Sequence, residues 1–326
     1  MLETRVHYPT DWNLLYDSGR KCLDMIAKAG KKLQMPIPGW RKLSWWYKQL
    51  RNQERRLANI VSRGGKNREV RLQKATEKYL GIARQISEKV ASTELELSQY
   101  PGVFAILVSL EDYRGLLDKH IDLVRRRLLE GEVIPHSEKL FSIFEQHTQW
   151  INKGKRHKKV ELGLNVLIAT DQHHFILAHQ VMEEHQDVHL AVPIAQKICQ
   201  TYEQEKLESI SFDRGFYSLP NYENLHQYAK KVILPKKGKL TQTERQREAE
   251  PEFVKLRHKH SAVEANINQL EHHGLNQCPD KGIKAFKRYV AYGVLAYNLH
   301  RLGKLLIEQQ RQIEQQRQKT RRKKAA

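Results

Sequence analysis

The sequence predicts an α/β fold, a layered domain of strands and helices joined to a large helical segment and closed by a long C-terminal helix. Three observations predict it. Up to about residue 150, apolar residues recur at helical spacing. From about 150 to 235, short β-branched runs alternate with amphipathic stretches. From about 253 to 316, the helical pattern returns.

The elements follow in order. After Pro9, Thr10 suits a helix N-cap, and Leu14, Leu15, Cys22, Leu23 and Ile26 recur at helical intervals. Pro36, Pro38 and Gly39 interrupt the chain. From Arg41 to Lys78 there are 12 basic and 3 acidic residues, with Trp45, Trp46 and Tyr47 among them. This stretch predicts a long helix interrupted at Gly64-Gly65. Further helices are expected over about 83–98 and 103–130. KVELGLNVLIATD (159–171) and FILAHQVM (175–182) read as buried strands joined by a short turn. AVPIAQKICQTYEQ (191–204) reads as helix, LESISFDRGF (207–216) as a strand ending on an acid, LPNYENLHQYAK (219–230) as helix, and KVILP (231–235) as strand. Residues 236–252 are polar and predict a charged loop. Residues 317–326 predict a basic, disordered tail, in which six basic residues and no acidic one lie between Arg317 and Lys324.

Composition narrows the function. Of 326 residues, 40% are hydrophobic, enough for a core. Lys and Arg total 57 against 37 Asp and Glu, a net charge of +20, which favours a polyanionic partner. No stretch of about 18 uncharged apolar residues occurs, so no membrane partner is expected. The N-terminus lacks a signal-peptide layout. Cys22, Cys199 and Cys278 are widely spaced and odd in number. They predict free thiols in a reducing, intracellular setting, without a zinc cage.

Two carboxylates stand out. Asp213 follows a strand pattern and precedes Gly215, which puts it at the carboxyl end of a strand, where α/β sheets hold their sites. Taken alone, the same position suits a helix-capping Asp. Glu264 lies in HSAVEANINQL (260–270), beside an expected buried stripe of Val263, Ile267 and Leu270, with Asn268 one turn further on. It suits an exposed helix Glu equally well. Together the two fit metal-assisted phosphoryl transfer, in which carboxylates hold Mg²⁺ or Mn²⁺ and a basic surface holds DNA phosphates. Asp171, at the strand turn beside His173 and His174, is a weaker metal candidate, because a turn role explains it. Asp11 reads as an acid at a helix start. Phosphate contacts are expected from Lys153, Lys155, Arg156, Lys158 and Lys159, from Arg214, and from Lys284, Lys287 and Arg288, although a solvated charged face explains these residues too.

HYPTDWNLL (7–15), SFDRGFYS (211–218), HSAVEANINQLEHHGLNQCPDKGIKAFKRYV (260–290) and AYNLHRLGK (296–304) resemble bacterial insertion-sequence transposases of the acidic-triad (Asp-Asp-Glu) class. The resemblance spreads over nearly the whole chain and is strongest from 207 to 304. It implies an RNase H-like catalytic domain (core 151–235) with a large helical insertion (9–150), and C-terminal helices (253–316) that carry the Glu. Asp213 would be the second triad member and Glu264 the third, with Mg²⁺ or Mn²⁺ as cofactor. The partners would be double-stranded DNA, at transposon ends and target, and a second protomer in a homo-oligomer. The setting would be the bacterial cytoplasm, at the nucleoid.

The family's first Asp precedes a Tyr-Pro-Thr-Asp segment on the first strand. Here Met1 to Val6 contain no Asp, so residues 1–8 read as the remainder of that strand in an N-terminally truncated member. Glu3 is displaced along the strand and too long to replace it. Around the last carboxylate, relatives carry a Tyr-Arg-Glu-Lys pattern, where this chain has Arg257, His260, Glu264 and Glu271. His260, one turn before Glu264, remains able to contact a phosphate. The resulting expectation is a DNA transposase that lacks one carboxylate. The alternative is an inactive DNA-binding remnant or competitor.

Overall fold

A computed structural model describes residues 1–152, 159–183 and 187–325. The chain divides into two compact units, Val6–Thr148 and Met1–Arg5 with Gln149–Ala326.

The Val6–Thr148 unit is helical. Helix α1 spans Asp11–Leu33, α2 Leu43–Arg63, α3 Arg68–Leu97 and α4 Phe104–Leu128. Thr10 caps α1, its hydroxyl accepting from the Asn13 N–H at 3.2 Å. Asp11 sits in the first turn, where the helix dipole favours an anion, and pairs with Arg127 at 2.6 Å. Leu15, Cys22, Leu23 and Ile26 enter the core at the intervals that the sequence shows. The basic stretch forms two helices, because Gly64 (φ 64°) and Gly65 (φ 101°) adopt the left-handed region that favours glycine. The second of these runs unbroken to Leu97 and absorbs the separate helix expected over 83–98. Tyr79 is fully buried, and its hydroxyl donates to the Trp12 carbonyl at 2.9 Å. Trp46 packs against the core, while Trp45 is 44% exposed. Glu94 is buried and accepts twice from Arg114 Nε, at 2.8 and 3.0 Å.

The other unit is a mixed α/β structure. Its strands are β1 (Leu2–Thr4), β2 (Gln149–Asn152), β3 (Val160–Thr170), β4 (Ile176–Met182), β5 (Leu207–Ser211), β6 (Ala229–Ile233) and β7 (Gln277–Cys278). Its helices are α5 (Ala191–Thr201), α6 (Leu219–Leu225), α7 (Gln242–Ala249), α8 (Pro251–His260), α9 (Ala262–Leu270) and α10 (Ile283–Ala325).

Strand β3 organises the larger sheet. It pairs antiparallel with β2 over Val160–Gly163 and with β4 over Asn165–Thr170. β2 and β4 lie end to end on one edge, where the Gln149 amide reaches the Glu183 carbonyl. β1 lies on the other edge and meets only Gly163 and Leu164. Beyond Leu164, that edge has no strand partner among the described residues. β1 also pairs in parallel with β7. β5 and β6 form a separate parallel pair. Two apolar layers sandwich the sheet. Phe286, Val290, Val294 and Tyr297 of α10 pack with Leu2, Leu164 and Ile176. α5 packs with Ala178 and Met182 and with Phe212, Phe216 and Val232 around β5 and β6.

Four local expectations change. α6 ends at Leu225, since Ala229–Ile233 is taken up as strand. The charged segment 236–252 contains α7 and the start of α8. Thr241 and Glu244 form a reciprocal capping box that satisfies the first amides of α7. The basic tail continues α10 to Ala325. Gln, Arg, Lys and Glu all favour helix, and Gln310 pairs with Glu314 one turn on. The short strands β2 and β7 have no counterpart among the expected elements.

Candidate active site

Asp213 sits two residues past β5, where Ser211 ends the strand and a 3₁₀ turn (Arg214–Phe216) begins. Phe212 and Phe216 anchor the turn, both buried with ring centroids 5.1 Å apart. Their burial leaves Asp213, Arg214 and Gly215 exposed between them.

His260, the last residue of α8, reaches this strand end. Its Nε2 lies 3.0 Å from Asp213 Oδ1, and its Nδ1 lies 3.0 Å from Ser211 Oγ. A neutral imidazole would donate from Nε2 to the carboxylate and accept the serine hydroxyl at Nδ1. The hydrogen bond from His260 holds the Asp213 carboxyl below its usual range, outweighing partial desolvation. The order is the reverse of a nucleophilic triad, where the carboxylate is buried behind the histidine and the hydroxyl faces substrate. Here the carboxylate faces solvent, and Ser211 is half-buried.

One turn beyond His260, α9 carries Glu264, whose N–H donates to the Ser261 carbonyl at 3.2 Å. Glu264 is exposed. Of the expected buried stripe of Val263, Ile267 and Leu270, Leu270 is buried, Val263 is half-buried and Ile267 is corrected. Ile267 is 37% exposed, and Asn266 is buried in its place. Asn266 Oδ1 accepts from the Tyr297 hydroxyl at 2.9 Å and lies 3.1 Å from His174 Nδ1. Glu264 therefore lies across the helix from the packed side rather than beside it. It stays free for an external ligand while Asn266 pins α9 in place.

Asp171 has a structural task. Its Oδ1 accepts from the N–H groups of His173 and Phe175, each at 2.8 Å, and closes the β3–β4 turn. His174 adopts positive φ (67°) there, and Arg301 Nε donates to the His173 carbonyl at 2.9 Å. Asn298 of α10 both donates to and accepts from the backbone of Ile176 at 2.9 Å, clamping the start of β4. Ser211, Asn266, Tyr297 and Asn298 were not singled out by the sequence. For Asn266, Tyr297 and Asn298 the signal is a polar group on a packed helix face, and for Ser211 a hydroxyl at a strand end, and only packing makes these visible.

Arg214, Lys287 and Arg288 are exposed. Lys287 pairs with Glu183, and Arg288 approaches Asp280 at 3.8 Å. Arg156 and Lys158, with Lys153 and Lys155, lie outside the described residues. No group of three His, Cys, Asp or Glu side chains gathers as a metal site among the described residues. Asp213 and Glu264 nevertheless suit a hard cation. Both offer carboxylate oxygens at an exposed position, where an ion such as Mg²⁺ keeps several waters. Among the described residues, no helix is long and apolar enough to cross a membrane.

A family model described as "Transposase DDE domain" matches residues 125–299, more than half of the chain and a span that includes Asp213, His260 and Glu264. No curated protein and no solved structure matches.

Proposed function

Since the chain belongs to the transposase DDE domain family, we propose that it cuts DNA at transposon ends by metal-dependent hydrolysis and joins the 3′ ends to target DNA. One observation supports the site above all. His260, four residues before Glu264, lies 3.0 Å from Asp213, so the segment that leads into Glu264 is tied to the strand end that carries Asp213, and both carboxylates are exposed. On this reading, the unit with the antiparallel β1–β3–β4 strands and the parallel β5–β6 pair is an RNase H-like core.

Asp213 and Glu264 would hold the divalent ion, Mg²⁺ or Mn²⁺. When bound, the ion would lower the pKa of an attacking hydroxyl and stabilise the leaving oxygen. The residues of the chain do the positioning. His260 fixes the Asp213 carboxylate and keeps it ionised, and Asn266 fixes the helix that presents Glu264. Arg214, Lys287 and Arg288, together with Arg156 and Lys158, would contact phosphates, in keeping with the +20 charge, whereas both ring nitrogens of His260 are engaged by Asp213 and Ser211. In cleavage, water adds to phosphorus, the bond to the 3′ oxygen breaks, and a 3′ hydroxyl leaves. In joining, that hydroxyl gives up its proton and bonds to the phosphorus of a target phosphodiester, the target's own bond from phosphorus to its 3′ oxygen breaks, and a target 3′ hydroxyl leaves. No bond to the protein forms.

The test is nicking of a linear duplex carrying the element's ends, with Mg²⁺ or Mn²⁺. Nicking by the unmodified chain that Asp213→Asn or Glu264→Gln abolishes is the expected result. Nicking that survives both substitutions would overturn the assignment. The second reading is a DNA-binding remnant or competitor without catalysis, for which the +20 charge alone suffices. Salt-sensitive duplex binding by the unmodified chain, with no cleavage in either metal, would establish it.

A further inference from the structure

Helix α10 is apolar on two nearly opposite sides. On one side, Phe286, Val290, Val294 and Tyr297 are buried in the core. On the other, Tyr292, Leu295, Leu299, Leu302, Leu306 and Ile313 are 43–64% exposed. The second row advances by three, four, three, four and seven residues, the heptad spacing of a coiled-coil seam, with Gln309 at the skipped position. Charge is segregated from it. From Tyr292 to Gln316, the seam positions and the two positions that flank them hold no charged residue. Arg301, Lys304, Glu308, Arg311 and Glu314 all fall on the remaining three positions of the heptad.

We propose that this row is a homodimer interface, in which α10 pairs with α10 of a second copy as a two-stranded coiled coil. Three arguments favour a second copy. A heptad seam is complementary to another heptad seam, and closed two-fold pairing satisfies both copies with one surface. On the other helices, exposed large apolar residues come at most two in succession at this spacing among the described residues. Two chains at +20 repel, so they can approach only where charge is excluded, and this row excludes it. The exposed fractions correspond to roughly 600 Å² per copy, or about 1,200 Å² in a pair, which reaches the range of stable interfaces. The proposal stands apart from the catalytic reading, since it uses neither Asp213 nor Glu264.

Sedimentation velocity on the full chain tests it. The unmodified protein should sediment as a dimer at micromolar concentration. Leu299→Glu with Leu306→Glu should weaken dimerisation by at least about 100-fold while far-UV circular dichroism keeps its helical signal. Leu299→Ala with Leu306→Ala, the gentler pair, should shift it in the same direction. Lys304→Glu with Arg311→Glu, on the charged side, should leave the dimer intact. A monomeric unmodified chain would overturn the proposal. So would a dimer that both seam variants leave unchanged, or one that the charged-side variant disrupts equally.

Discussion

Acidifying the protein from pH 7 to pH 4 probes His120, which is fully buried in the helical unit. Its Nδ1 lies 2.7 Å from the Leu116 carbonyl and 3.3 Å from Ser18 Oγ, while Nε2 is buried with no hydrogen-bond partner among the described residues. Burial lowers its pKa to about 4, against the hydrogen bond to Leu116, which acts in the opposite direction. The unfolded chain would titrate near 6.5. Between these values the unfolded state binds the extra proton, so stability is full above about pH 6.5 and falls as pH drops toward 4. At about 1.4 kcal/mol per pH unit, the loss is roughly 3 kcal/mol, a large fraction of a typical domain's stability. Trp12, Trp40, Trp45 and Trp46 lie in this unit and only Trp150 lies outside it, so tryptophan fluorescence during urea unfolding reports it. His120→Leu removes the proton uptake. Other groups titrate in both proteins, and the difference isolates His120. The unmodified chain should lose about 3 kcal/mol more than His120→Leu between pH 7 and pH 4. Parallel stability curves would refute the reasoning.

Two further outcomes follow from the α/β unit. His260→Gln should raise the Asp213 carboxyl toward its ordinary range, as seen in a carboxyl-detected NMR titration. The contact favours the folded chain above the ordinary carboxylate range and fades as pH falls through the depressed value, so the variant should lose that part of the pH dependence. Asn298→Ala strips two partners from the buried Ile176 backbone, which should cost about 1–3 kcal/mol in urea unfolding of this unit.

The sequence made the fold legible wherever a single element carries its own signal. Helix α1 is written in its cap and its apolar interval. β3 and β4 are written in their β-branched runs, and the Asp171 turn in its polar residues. Asp213 was placed correctly at a strand end because a short strand followed by a glycine turn is a local pattern. β7 was invisible, since two residues become a strand only by meeting β1. The orientation of Glu264 was misread for a related reason. Leu270 and Ile267 look like equivalent apolar partners, and nothing local says that Asn266 will be buried to receive the Tyr297 hydroxyl. α7 was missed although Thr241 and Glu244 spell its cap, because high polarity outweighed a short signal.

The turn between β3 and β4 is held from outside as well as from within. Asp171 closes it, while Asn298 and Arg301 of α10 fix the backbone of Ile176 and His173 on its far side. Helix α10 is thereby hydrogen-bonded to the hairpin as well as packed on the sheet, so a displacement of this stretch of the helix reaches the hairpin backbone directly.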